Sequence, residues 1–288
     1  MHEIKVRGLL SARGGMNLYR GCTHGCIYCD SRSSCYQFDH DFEDVAVKIN
    51  APALLEQALQ SRRKGCMIGT GSMSDPYQPI ERDLRLTRRC LTLIRQYGFG
   101  AAVLTKSPLI LRDLDLLQSI HEKSKCIVQV TLTTWDDQLC RILEPRVAVT
   151  TQRLEILRRC KKLGIPTIVW LCPLLPFIND TEENLSRILE ACAENGVAGI
   201  LNFGMGVTLR EGSRDYFYRQ LDRLFPGLKA HYIRAFGLSY EIPSPRSDAL
   251  FRYFTDFCSR HGICHNPSEI FQMLHSFPET REEQLTLF

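Results

Sequence analysis

The sequence predicts an α/β fold: a partial (β/α)6 barrel of the TIM type, then a C-terminal helical extension and a tail. Three observations predict it. Short apolar segments alternate with amphipathic ones through most of the chain. The apolar segments are continuous runs, as in strands covered on both faces of a parallel sheet with helical crossovers. Glycines stand where several amphipathic segments stop. The expected units are 1–206 for the barrel, 207–277 for the extension and 278–288 for the tail.

In order, residues 16–19 are expected as a strand and 53–63 as a helix whose first turn suits Pro52. Residues 66–71 form a buried strand, 87–97 a helix ended by Gly98, 101–105 a strand and 109–122 a helix. The Val- and Thr-rich segment 127–133 is a strand. Residues 150–163 are a helix stopped by Gly164, and 167–172 a strand. Residues 181–194 are a helix with Asp180 as its cap and Gly196 after its end, and 198–203 a sixth strand. In such a barrel the working face lies at the strand C-terminal ends. Past Gly206 the pattern changes, with helices expected at 216–224 and 249–261 around a Pro- and Ser-rich stretch at 243–245.

A length of 288 residues suits one large α/β domain with an appendage. Apolar and charged fractions of 44% and 24% are ordinary for a soluble globular protein. No apolar run reaches the length of a membrane span, and residues 1–7 lack the apolar centre of a signal peptide. The expectation is a cytoplasmic protein with no membrane partner. A net charge of +4 is too small to mark a nucleic-acid-binding protein by itself. The basic clusters at 62–64, 85–89 and 158–162 suit solvated helix faces. Thirteen cysteines are many, but the chain is too long and too regular for a disulfide scaffold. Cys90, Cys160 and Cys192 fall within apolar-periodic segments, where cysteine acts as a small hydrophobe.

Three cysteines stand apart, in Asn17-Leu-Tyr-Arg-Gly-Cys22-Thr-His-Gly-Cys26-Ile-Tyr-Cys29-Asp30. Closely spaced thiols on a glycine-punctuated loop after a strand suit an iron–sulfur cluster, which cysteine thiolates hold. A cubane with three protein ligands keeps one iron open to a chelating ligand. Zinc held with His24 is the competing reading, but zinc motifs usually pair their ligands as two separated knuckles. Three unligated thiols are the other.

Cys-x3-Cys-x2-Cys with Tyr28 before its last cysteine is similar to the motif of the radical SAM superfamily. Flanking segments narrow the resemblance: 17–29, Gly71-Ser-Met-Ser-Asp-Pro-Tyr-Gln-Pro-Ile-Glu81, Leu104-Thr-Lys-Ser107, Glu144-Pro145 ahead of Arg153, and Pro173-Leu-Leu-Pro-Phe-Ile-Asn-Asp180. Together they resemble the spore photoproduct lyase-like branch, over roughly residues 8–201. The resemblance implies a 4Fe–4S cluster on Cys22, Cys26 and Cys29. It implies S-adenosylmethionine (SAM) as the second cofactor, split with an electron from a reducing donor into methionine and a 5′-deoxyadenosyl radical. By position it places Tyr28, Ser74, Lys106 and Thr131 at SAM. A lysine at a strand C-terminal end could meet the SAM carboxylate. The plainer alternatives are a surface lysine, a turn at Ser74-Asp75 ahead of Pro76, and core packing for Tyr28.

The chain also departs from the branch. The lyase places a hydrogen-donating cysteine just after the second strand, where this chain has Ser72, and a tyrosine after the third cluster cysteine, where it has Asp30. Cys35 and Cys66 are the remaining candidates for that donor, although Cys66 falls at the opposite end of its strand and Cys35 suits an ordinary loop cysteine.

The chain ends Gln284-Leu285-Thr286-Leu287-Phe288 after a polar, acidic stretch. This resembles the peptide by which bacterial polymerases and repair proteins dock on the sliding clamp, with two apolar side chains to fill a pocket. Folding of Leu287 and Phe288 onto the chain itself is the alternative. Cys258, His261, Cys264 and His265 are spaced too loosely to favour a second metal site. The expected function is therefore a lyase-like radical SAM enzyme acting on damaged or modified nucleic acid, DNA above all. A radical SAM enzyme for RNA, a peptide or a small molecule, and a non-enzymatic iron–sulfur protein, are the alternatives.

Overall fold

The computed structural model describes residues 1–278. The clamp-like segment Gln284 to Phe288 lies outside the described residues. The chain begins with β1 (His2–Ile4), β2 (Gly15–Met16), β3 (Tyr19–Arg20) and β4 (Ala46–Lys48). Alternation then sets in: α1 (Ala51–Ser61), β5 (Met67–Thr70), α2 (Glu81–Leu84), α3 (Leu86–Gln96), β6 (Gly100–Thr105), α4 (Leu114–Lys123), β7 (Cys126–Thr131). It continues through α5 (Asp137–Leu143), α6 (Thr150–Lys162), β8 (Thr167–Trp170), α7 (Glu182–Glu194) and β9 (Gly199–Leu201). Last come β10 (Gly206–Thr208), α8 (Ser213–Leu224), α9 (Leu228–Phe236), β11 (Glu241–Pro243), α10 (Ser247–Arg260) and α11 (Pro267–His275). No helix among the described residues is long and apolar enough to cross a membrane.

Six strands form one parallel sheet in the order β2-β5-β6-β7-β8-β9, the predicted partial barrel. The expected first strand is two: β2 joins this sheet, while β3 leaves it to pair antiparallel with β4 beside β1. Side-chain alternation divides the sheet's faces. Ile68, Val103, Val128, Val130, Val169 and Ile200 pack outward under the crossover helices. Full burial of each such side chain is worth roughly 1.5–3 kcal/mol. Ala102, Ile127, Ile168 and Leu201 point the other way, against Ile270 and Leu274 of α11. Farther along the same strands, Leu104, Thr131 and Trp170 share that register and line an open cavity. Thus α11 fills one end of the concave side and leaves the other open. Lys125 Nζ fixes its end by donating to the carbonyls of Met273 at 2.7 Å and Ser276 at 2.9 Å.

Two local details differ from expectation. Thr181, not Asp180, caps α7, its hydroxyl accepting from Asn184 N at 3.1 Å. The Asp180 carboxylate instead accepts from the Ser244 hydroxyl, tying the start of α7 to the segment before α10. The helix expected over 109–122 begins as a 3-10 segment, Pro108–Asp113, before turning α-helical. Asp113 is pinned there by the Tyr77 hydroxyl at 3.0 Å and by Arg88 at 2.9 Å.

Candidate active site

The cavity occupies about 1120 Å³ at the C-terminal ends of the sheet strands. Cys22, Cys26 and Cys29 all open onto it. Their loop is clamped on two sides. Cys22 N donates to Phe42 O at 3.0 Å, and Ile27 N to Leu143 O at 3.0 Å. Gly21 has φ +89° and lies so near the 42–45 segment that a Cβ would fall 2.4 Å from Phe42 O. Only glycine meets both demands.

Burial raises all three thiols. Cys22 is pushed up to about 12, Cys26 stands well above its usual value, and Cys29 is raised too. Without a cation they stay protonated, so metal binding must release protons. The donor set fits a polynuclear iron–sulfur group: three free thiols face one cavity. Among the described residues they do not form a group whose ligand atoms all lie within 4.8 Å of one another, as a single ion needs. Beside the loop, Gln78 takes the Thr23 amide on Oε1 at 3.3 Å while its buried Nε2 has no partner among the described residues.

His24 is buried, with Nδ1 3.5 Å from Asp75 Oδ2. Burial holds the imidazole below its usual value although Asp75 pulls the other way. Asp75 also accepts from Thr105 Oγ1 at 2.7 Å and from Lys106 N at 2.8 Å, which fixes the ends of β5 and β6 together. The Ser74 hydroxyl donates to Tyr19 O at 2.9 Å, so its side chain braces the wall.

The hub of the wall is Glu144, buried after α5. It accepts from the Tyr28 hydroxyl on one oxygen and from Arg153 Nη2 on the other. Lys106 Nζ stands 3.9 Å away. Arg153 also donates to Thr131 O at 2.9 Å. Burial alone would raise the Glu144 carboxyl, but Arg153, Lys106 and the Tyr28 hydroxyl outweigh it and hold it at about 2. Tyr28 and Lys106, which the resemblance placed at SAM, therefore meet at one ionised carboxylate, and Thr131 is joined to it through Arg153. Tyr28 also packs its ring with Leu143, Leu175 and Val207.

The candidate donors separate. Cys66 precedes β5 at the far end of the sheet, bonded by Arg62 Nη1 at 3.2 Å. Cys35 is exposed, with Arg210 Nη1 at 3.6 Å. Ser72 lies on the cavity wall, and so does Cys172, which follows β8 and which the sequence analysis did not single out. Its signal was its place at a strand C-terminal end. Burial pushes the Cys172 thiol up to about 12, so it stays S–H at neutral pH, the form able to give a hydrogen atom to a carbon radical. The rim was likewise missed. Phe203, Phe251 and Tyr240 line the cavity yet are 60%, 47% and 45% exposed. Arg210 stands among them, 3.4 Å from Asp30 and 3.3 Å from the Tyr240 hydroxyl.

Comparison with known proteins agrees with this architecture. Residues 16–192, more than half of the chain, match the family model of the radical SAM superfamily. An uncharacterized Mycobacterium tuberculosis protein is 30% identical over 240 residues, covering 81% of this chain and 69% of that one. An uncharacterized Methanocaldococcus jannaschii protein is 33% identical over 184 residues, covering 63% and 67%. A spore photoproduct lyase structure superposes with a TM-score of 0.62 at 13% identity, over 86% of this chain and 74% of that one. A second, complexed with dinucleoside spore photoproduct, gives 0.61 at 13% identity over the same shares. These structural likenesses show a shared fold. The three-thiol loop at the mouth of a six-stranded parallel sheet and the match across 16–192 lead to one conclusion: the chain belongs to the radical SAM superfamily, whose cofactors are a 4Fe–4S cluster and SAM.

Proposed function

We propose that Cys22, Cys26 and Cys29 hold the cluster, that Tyr28, Ser74, Lys106 and Thr131 border SAM, and that the substrate is a base in damaged or modified DNA. Once bound and given an electron by a reducing donor, the cofactors would supply a 5′-deoxyadenosyl radical for hydrogen-atom abstraction from the substrate. The chain's own residues hold both partners in register and limit stray hydrogen donors.

One observation carries the substrate reading: a single cavity joins the three thiols to a rim of exposed aromatic rings and an arginine. Exposed aromatic rings stack on unpaired bases, at about 1–3 kcal/mol per base, and arginine meets phosphate. The test is 5′-deoxyadenosine formation by the reconstituted, dithionite-reduced protein, with and without single-stranded or lesion-bearing DNA. Stimulation that weakens as salt rises supports the reading. Stimulation by peptides or small molecules and none by DNA overturns it.

Lys106→Met should raise the SAM Kd about 10–100-fold, since a charged hydrogen bond is worth about 1.5–3 kcal/mol. Iron content should not change. Equilibrium binding of labelled SAM reads the effect, and an unaltered Kd removes Lys106 from the SAM site. We assign Gln284, Leu285, Leu287 and Phe288 to a sliding-clamp contact on the pattern of the segment. Deleting 284–288 should abolish co-migration with a bacterial clamp and leave SAM cleavage as it was. Unchanged co-migration sinks that assignment.

A further inference from the structure

A second side-chain cluster lies behind the cysteine loop. His2 is the first residue of β1, held in register by its amide on Val45 O at 3.1 Å. The segment between the cysteine motif and β4 brings His40 and Asp44 to it. The two imidazoles stand edge to face, their centroids 4.9 Å apart. Asp44 Oδ2 lies 3.0 Å from His2 Nδ1, while Oδ1 meets the Met1 amino group. His2, His40 and Asp44 each offer a ligand atom, and these atoms lie within 4.8 Å of one another.

The His40 ring gives the second observation. Its Nδ1 is 2.9 Å from Asp41 O, an acceptor only, so in the neutral imidazole Nδ1 carries the proton and Nε2 the lone pair. That Nε2 is buried and has no hydrogen-bond partner among the described residues; Asp39 Oδ1 is 3.9 Å away. A buried acceptor without a partner costs about 1–3 kcal/mol. An imidazole bonded through one nitrogen to a backbone carbonyl, with its other nitrogen unpaired and with a second histidine and a carboxylate grouped beside it, has the outer-sphere arrangement of a metal ligand.

We propose that His2, His40 and Asp44 bind a divalent transition ion of the zinc class, with a fourth position left to water. Two imidazoles and one carboxylate suit zinc; magnesium and calcium take oxygen ligands. The site is separate from the cluster loop but braces it. The peptide carbonyl of Phe42, between the two segment ligands, is the one that receives Cys22 N. An ion there ties 40–44 to β1 and holds that carbonyl in place.

The test uses the full chain with its cluster reconstituted, so that the cluster thiols are occupied. It is equilibrated with zinc chloride, desalted, and examined by elemental analysis and zinc-edge X-ray absorption. The expected result is one zinc per chain with only nitrogen and oxygen neighbours, at about 2.0–2.1 Å. His40→Gln and Asp44→Asn should each weaken zinc binding at least about tenfold while iron content and far-ultraviolet circular dichroism stay at wild-type values. If one variant misfolds, the other decides. No retained zinc, zinc with sulfur neighbours, or nitrogen/oxygen-bound zinc that persists equally in a folded variant overturns the proposal.

Discussion

Cys26→Ala is expected to leave a folded protein that neither keeps its cluster nor cleaves SAM. Loss of a residue that only supports a metal ligand typically costs 10–100-fold in affinity or activity, and loss of a ligand should exceed that. We therefore expect 5′-deoxyadenosine formation to fall more than about 100-fold, with iron falling in parallel. The structural cost is small by comparison: the change removes one buried sulfur atom, about 1 kcal/mol. Ile27 N on Leu143 O and Cys22 N on Phe42 O still clamp the loop from both sides. Iron analysis, the visible absorption of the cluster and circular dichroism separate the two effects. A folded variant with undiminished iron and an unchanged spectrum would sink the cluster assignment.

How much of this was legible locally depends on the range of the interaction. The sheet was legible because most of its strands are short apolar runs and its longer crossover helices repeat apolar residues at their own period. The cysteine loop was legible because its ligands lie close together in sequence. Contacts made across long separations were not. Tyr19 and Met16 are near neighbours on one apolar stretch, yet they pair in different sheets. Helix α5 is short, and its signal reduces to Asp136, whose carboxylate accepts from Gln138 N and Leu139 N. Helix α11 carried a clearer one: Asn266 caps it and Pro267 begins it. Its role as the filling of the sheet's concave side needs the register of strands more than sixty residues upstream. The rim draws Phe203, Tyr240 and Phe251 from three separate segments. The His2, His40 and Asp44 cluster likewise depends on the parallel pairing of β1 with β4.

Arg153 shows a signal present in the sequence but explained only by the fold. It falls between Thr150, Leu154 and Leu157, at core-facing positions of α6, where a charge has no place without a partner. The partner is Glu144, and Arg153→Met should therefore be severe. It leaves a buried carboxylate with the Tyr28 hydroxyl and a lysine 3.9 Å away. Breaking a buried pair from one side costs about 3–5 kcal/mol, which for a domain approaching this size lowers Tm by roughly 10 °C. The pH dependence carries a sign. In the folded protein Glu144 titrates at about 2, below the roughly 4.3 of an unfolded glutamate. Its contribution is present above the unfolded value and is lost as pH falls toward 2. Without Arg153, burial is opposed only by Lys106 and the Tyr28 hydroxyl, so the carboxyl should rise from that low value. The variant's loss from Glu144 on acidification should then shrink, giving a flatter profile than the wild type at low pH. Thermal melts between pH 2 and 8 read this directly, and Glu144→Gln on top of Arg153→Met should recover part of the loss. A loss below about 1 kcal/mol, or a pH profile matching the wild type, would show that the pair does not hold the wall. If the wall does depend on it, the SAM Kd of Arg153→Met should rise with its instability. The Tyr28 hydroxyl and the Thr131 carbonyl bond to these same two side chains and Lys106 Nζ stands beside them, so the charge pair in the core also braces the wall of the cavity above the cysteines.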